Sequence, residues 1–239
     1  MNWLPKIQEG LKSDLFELYA QRIQNIEGNE PSNRFEILIR IEDKESGILL
    51  PGSFIPAAER FGLMVKIDRW VINRVFSSMD SSKSLSINLS GQTVADAGIF
   101  DYIHRQQQDF NIDAEQITFE ITECAAMHNI KKTIDFIKIL KKKGFTFSLD
   151  DFGSGLSSFT FLKNLPVDAL KIDGTLIRDI AEDDTSYMMV EFISDIGHLM
   201  GLEIIAEYVE NERIMERLKQ VGVDSVQGFH IDRPSPFST

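Results

Sequence analysis

Apolar positions along the chain fall into two rhythms. Short runs in which every second residue is apolar predict strands; Phe145, Phe147 and Leu149 against Thr146, Ser148 and Asp150 form the clearest case. Runs with a period near 3.6 predict helices. Strands are expected at Asp14–Ile23, Arg34–Ile41, Leu85–Leu89, Gln116–Thr122, Phe145–Asp150, Val167–Ile172, Leu202–Ala206 and Asp224–Gln227. Helices are expected around Ser53–Arg60, Val65–Met79, Ile99–Asp109, Lys131–Lys143, Ser157–Leu162, Thr185–Met200 and Asn211–Gln220.

Only Gln24–Asn33 separates the first two strands, with Gly28 and Pro31 as turn formers. A parallel crossover needs a dozen or more residues, so this pair should form an antiparallel hairpin. The later strands alternate with helices, the signature of a parallel sheet. Eight strands in 239 residues favour an α/β fold of the TIM-like (β/α)8 barrel type with one antiparallel strand, as a single domain over residues 1–239. An open doubly wound sheet is the alternative. It would usually carry a glycine-rich phosphate loop early in the chain, and the sequence has none there.

Composition narrows the function. Hydrophobic residues make up 43% and charged residues 26%, ordinary values for a globular protein. The formal net charge of −12 argues against long nucleic acid, whose affinity comes from Lys and Arg on phosphates, but allows a small phosphate ligand held through a metal. Lys131, Lys132 and the run Lys138–Lys143 fall on a predicted helix and its C-terminal end, a solvated face. No apolar run approaches the roughly 20 residues of a membrane helix, and no signal-peptide core is present. The lone Cys124 excludes an internal disulfide and fits a reducing, cytoplasmic compartment.

Barrel enzymes carry their chemistry at the C-terminal ends of the strands. Those ends read Glu36 with Arg40, Asn88, Glu120, Asp150 with Asp151, Lys171 with Asp173, Glu207 and Gln227. The neighbouring apolar residues take the other parity, so the polar set faces the axis. Taken singly, an acid at a strand end is equally a helix N-cap or a solvated residue. Taken together, the carboxylates would repel one another unless a cation lay among them. Their oxygen-rich character suits Mg²⁺ or Mn²⁺ better than zinc. Two ions, about 3.5–4 Å apart, would activate a bridging water for phosphate-ester hydrolysis. Lys171 could hold that water or a phosphate oxygen, and Glu207 could be a ligand or accept the proton. The four histidines lack ligand spacing. Asp151-Phe152-Gly153 spells the kinase magnesium motif without its companions, and Gly153-Ser154-Gly155 reads as a hinged loop rather than a dinucleotide fingerprint.

At these residues the chain resembles the EAL-domain family of cyclic di-GMP phosphodiesterases, from about residue 16 to 234. The matching segments include Phe16-Glu17-Leu18, Gln21, Glu36 to Arg40, Pro51 to Pro56, Asn88-Leu89-Ser90 and Glu120 to Glu123. They continue through Leu149 to Gly155, Leu170 to Asp173, Ala206-Glu207, Val209-Glu210 and Gln227-Gly228-Phe229. The resemblance implies metal-dependent hydrolysis of cyclic di-GMP to linear pGpG by a water that two metal ions activate. It implies Glu36, Asn88, Glu120, Asp150, Asp151 and Glu207 as metal ligands, with Lys171, Glu207 and Asp151 catalytic. Gln21, Leu38, Arg40, Asp173, Glu210, Gln227 and Phe229 would bind substrate. Glu123 would anchor a regulatory loop that includes Phe152, Gly153, Ser154 and Gly155 and couples homodimer formation to metal binding.

Four positions depart from the family pattern. Ile37 replaces alanine, Arg22 proline and Ser154 threonine, and Tyr208 stands where glycine is commonest. Upstream sensor or cyclase domains often accompany this family, so the chain reads as an output domain alone. Two other readings compete: a receptor that holds cyclic di-GMP without cutting it, and a Schiff-base lyase built on Lys171.

Overall fold

The computed structural model describes residues 3–13, 15–28, 30–43, 47–153 and 159–237. Eight strands close a barrel: β1 (Phe16–Asn25), β2 (Arg34–Asp43), β4 (Ser84–Asn88), β5 (Ile117–Thr122), β6 (Thr146–Phe152), β7 (Ala169–Ile172), β8 (Glu203–Ala206) and β9 (Ser225–Val226). Two short strands, β3 (Gly47–Leu49) and β10 (Ser235–Pro236), edge β2 and β1. All eight expected barrel strands are present. Strand β1 is antiparallel to both its barrel neighbours, β2 and β9, and the other seven run parallel. The hairpin register pairs Gln21 with Glu36, which puts both on one face.

Period-two alternation sorts the strand side chains as the sequence predicts. Ile87, Phe119, Phe147, Leu170 and Ile204 point outward and are fully buried under the helices. Aromatic contacts knit this layer, with Phe119 5.2 Å from Phe145 and 5.8 Å from Phe147 between ring centroids. The helices follow their apolar stripes. In Glu212–Val221 the buried residues are Ile214, Met215, Leu218 and Val221; Asn211 caps the start by accepting from the Ile214 N–H, and Gly222 ends the helix at φ +81°. The helix Trp3–Ser13, absent from the expected set, buries Ile7 against the same core.

Inside the barrel three layers stack. At the N-terminal end Arg34 grips Glu203 through both guanidinium nitrogens, at 2.5 and 3.0 Å, and Ser225 Oγ donates to the same carboxylate. Above it Ile23, Ala169 and Ile205 form a small apolar plug. Lys171, two residues beyond Ala169 on the same face, begins the polar layer at the C-terminal end. None of the helices among the described residues is long and apolar enough to cross a membrane.

The turn after β4 is anchored from below. Asp68, buried in the helix Met64–Ser77, accepts from the Ser90 backbone N–H at 2.9 Å and from Ser90 Oγ at 2.7 Å. Burial pushes its pKa up to about 6, against the lowering effect of the Thr93 and Ser90 hydrogen bonds. The native state therefore holds a proton that the unfolded chain has released between about pH 4 and 6. Stability falls as pH rises through that window, by roughly 2–3 kcal/mol from this group. Asp68→Asn, which retains an acceptor for Ser90, should remove that share of the fall, read by urea unfolding at pH 4.5 and pH 7. An unchanged pH slope would show that Asp68 is ionised in the fold.

Candidate active site

Two adjacent carboxylates reach the barrel axis because the backbone of β6 breaks its own alternation. The pairing of β6 with β7 shifts register between Leu149 and Phe152, a β-bulge, and Asp151 takes φ +57°. An extra residue in one strand turns both Asp150 and Asp151 toward the site while Leu149 and Phe152 both stay in the core. Aspartate is among the few non-glycine residues that enter the left-handed region readily. The Asp151 N–H also donates to Asp150 Oδ1 at 2.9 Å, a local bond that fits the bulge.

Beneath them Lys171 is fully buried in a cage of acids. Its Nζ lies 2.7 Å from both Glu120 Oε2 and Glu207 Oε1, 3.3 Å from Glu36 Oε2 and 3.5 Å from Asp150 Oδ1. Glu36 is held further by Asn88 Nδ2 at 2.7 Å and Gln227 Nε2 at 2.8 Å, and Gln227 also donates to Gln21 Oε1. Gln227, just past the last barrel strand, thus bridges Gln21 on β1 and Glu36 on β2.

The charges do not balance. Glu36, Glu120, Asp150, Asp151 and Glu207 surround one ammonium. Burial opposes the charged form throughout, and the outcome differs by neighbour. Lys171 is held well above its ordinary pKa because four carboxylates outweigh its own desolvation. For Glu36, burial is overcome by the Lys171 charge and the Gln227 and Asn88 hydrogen bonds, which lower its pKa. Burial raises Glu120 to about 8, with Glu36 and Asp150 adding to the effect despite Lys171. Burial and the charges of Asp150 and Asp173 push Asp151 up to about 6. Burial also raises Asp150 and Glu207. A lysine buried among four carboxylates that favour its protonated form is poorly placed to act as an amine nucleophile, which counts against the lyase reading.

The cluster fits a divalent cation. Asp150, Asp151 and Glu207 offer oxygens that all lie within 4.8 Å of one another. Glu120 Oε1 is buried without a hydrogen-bond partner, an acceptor left over in the cage. A hard oxygen set with surplus negative charge could hold such an ion.

Above the cluster opens a cavity of about 440 Å³ lined by Gln21, Glu36, Leu38, Arg40, Asp150, Asp151, Glu207, Glu210, Gln227 and Phe229. Every one of these is a residue the sequence singled out. Glu120 and Lys171 lie buried below, and Asn88 lines an adjoining cavity of about 430 Å³. Asp173 lines neither cavity; its carboxylate caps the helix Gly174–Asp179 by accepting from the Thr175 N–H. Leu50, Pro51, Gly52, Tyr208, Gly228 and Pro234 complete the wall. Pro51 and Gly52 lie in the Pro51–Pro56 segment that carries the family resemblance, and Pro51 opens the helix Pro51–Arg60, two residues earlier than expected. Glu123 Oε2 lies 3.5 Å from the Gly153 N–H, and Phe152 is wholly buried. Ser154 and Gly155 fall outside the described residues.

A closed mixed barrel with an acidic centre at its C-terminal mouth has counterparts among known proteins. The chain belongs to the EAL domain family, which it matches over residues 5–234. It is 39% identical to the cyclic di-GMP phosphodiesterase PdeB of Shewanella oneidensis, over 99% of this chain and 28% of that protein. It is 34% identical to the cyclic di-GMP phosphodiesterase PdeF of Escherichia coli, over 97% of this chain and 31% of that protein. The chain thus spans under a third of these relatives' length. The solved PaMucR phosphodiesterase in complex with c-di-GMP superposes with a TM-score of 0.92 at 32% identity, over 99% of this chain and 98% of that one.

Two measurements test the cage. Lys171→Met leaves the acids without their counter-charge, so in EDTA at pH 8 it should cost about 3 kcal/mol, a Tm lower by roughly 6–12 °C. An unaltered Tm would mean the ammonium is dispensable. Divalent ions compete with protons held by Glu120 and Asp151, so Mn²⁺ should bind more weakly as pH falls from 8 to 6. Equal affinity by calorimetry at both pH values would contradict the raised pKa values.

Proposed function

We propose that this domain is a metal-dependent phosphodiesterase that hydrolyses cyclic di-GMP to linear pGpG. The observation that carries the reading is the joint arrangement at the barrel mouth. Glu36, Glu120, Asp150 and Glu207 converge on Lys171, Asn88 and Asp151 stand beside them, and a cavity of about 440 Å³ opens over the cluster. The relatives' names support the substrate, and the family match supports the chemistry.

Glu36, Asn88, Glu120, Asp150, Asp151 and Glu207 would hold Mg²⁺ or Mn²⁺, in our reading two ions. Such ions, when bound, supply positive charge for the phosphate and lower the pKa of the attacking water. The chain's own groups do the rest. Lys171, fixed and charged beneath the cavity floor, orients the acids and adds positive charge under the water and the phosphate. Glu207 and Asp151 stand at the cavity surface, where either can take the water's proton. The water oxygen joins phosphorus, the P–O3′ bond breaks, and the departing 3′ oxygen gains a proton, so charge and atoms balance. Arg40 lines the cavity, supported from Tyr19, whose ring lies 5.4 Å from the guanidinium carbon, and is suited to the second phosphate. Gln21, Leu38, Glu210, Gln227 and Phe229 would frame the nucleosides, while Asp173 would act through the helix it caps. The reaction would take place in the cytoplasm.

Incubation with cyclic di-GMP and Mn²⁺ or Mg²⁺ should release pGpG, resolved by chromatography. Glu36→Ala should reduce turnover about a hundredfold or more. Tight nucleotide binding without product would select the receptor reading instead, and neither binding nor turnover would end both.

A further inference from the structure

Tyr208 follows Glu207 and holds φ +52°. A bulky residue enters this region only where its surroundings over-determine it. The surroundings here are specific. A Cβ built on Gly174 would come within 2.1 Å of Tyr208 Cδ2, so the ring occupies space that a glycine alone leaves free. Arg178, one turn further along the helix Gly174–Asp179, places its guanidinium carbon 4.3 Å from the ring centroid.

A strained backbone and two fitted neighbours fix a ring that remains 47% exposed. That is a poor arrangement for stability, since little of the ring is buried, but it makes a rigid wall. The ring lines the same cavity as the acids. Around the mouth, Leu50 and Pro51 follow the β2–β3 hairpin and Phe229 follows β9, whereas Tyr208 follows β8 and leans on Gly174, two residues past β7. A ligand with two nucleosides astride the carboxylates would meet this ring on the β7–β8 side of the mouth.

We propose, resting on the phosphodiesterase reading, that Tyr208 is a specificity-determining residue: its ring is the wall at the β7–β8 rim that holds the second nucleoside of a cyclic dinucleotide. Contact of a nucleobase with an aromatic side chain tolerates any base, so the ring recognises the second nucleoside's presence rather than its identity. Gly174 and Arg178 position it.

The test compares cyclic di-GMP kinetics and Mn²⁺ affinity for the wild type, Tyr208→Asn, Tyr208→Phe and Gly174→Ala. Asparagine tolerates the left-handed backbone, so Tyr208→Asn removes the ring without adding strain. It should raise KM about tenfold, the larger share of the loss falling in KM rather than kcat, with Mn²⁺ affinity retained. Tyr208→Phe should raise KM by no more than about threefold. Gly174→Ala, which displaces the ring, should resemble Tyr208→Asn in raising KM. A wild-type KM in Tyr208→Asn, or an equal loss in Tyr208→Phe, overturns the wall while leaving the phosphodiesterase reading intact. Wild-type protein that neither binds nor cuts cyclic di-GMP overturns both.

Discussion

One ammonium group organises the mouth of this barrel. Lys171 has no exposed surface and contacts carboxylates from four different strands and strand ends: Glu36, Glu120, Asp150 and Glu207. A buried lysine normally loses its charge, because desolvation favours the neutral amine. Here the surrounding acids reverse that outcome, and they in turn could not share so small a volume without it. The dependence is mutual, and it leaves an excess of negative charge. That excess makes the cluster receptive to divalent cations.

The remainder of the site can be understood as the framework this cage requires. The apolar plug of Ile23, Ala169 and Ile205 separates the cage from the polar floor where Arg34 and Glu203 pair. The bulge in β6 delivers a second aspartate to the axis from a strand that would otherwise supply one. Asp68 secures the turn after β4 through Ser90, two residues beyond Asn88. Each device solves a local problem of backbone direction or solvation, and together they keep the acids close.

Much of this was legible in the sequence, for identifiable reasons. Alternation along Phe145–Leu149 and the short spacing between the first two strands specify inward and outward faces and one antiparallel pair, and both survive folding. The edge strands β3 and β10, of three and two residues, are too short to show a period. The helix Trp3–Ser13 had a usable signal in Trp3, Leu4, Ile7 and Leu11, all of which pack on the core. The bulge had none, since strict alternation turns Asp151 away from the axis. The acids of the site were readable as a set because they take the inward parity of their strands, although Glu36 is the third residue of β2 rather than its end. The depth of Lys171 beneath the cavity was not, because a period of two gives direction and says nothing of height.

The antiparallel β1 carries a consequence for how the protein is made. Ring closure joins β1 to β9, whose paired residues Asn25 and Ser225 lie 200 positions apart, and only then can Gln227 donate to Gln21 and Glu36. Contacts so distant along the chain form slowly and late. A sheet still open at that stage would leave two free edges, which invite mispairing. The bridge from Gln227 to Gln21 and Glu36 is therefore the part of the site that waits on closure of the ring.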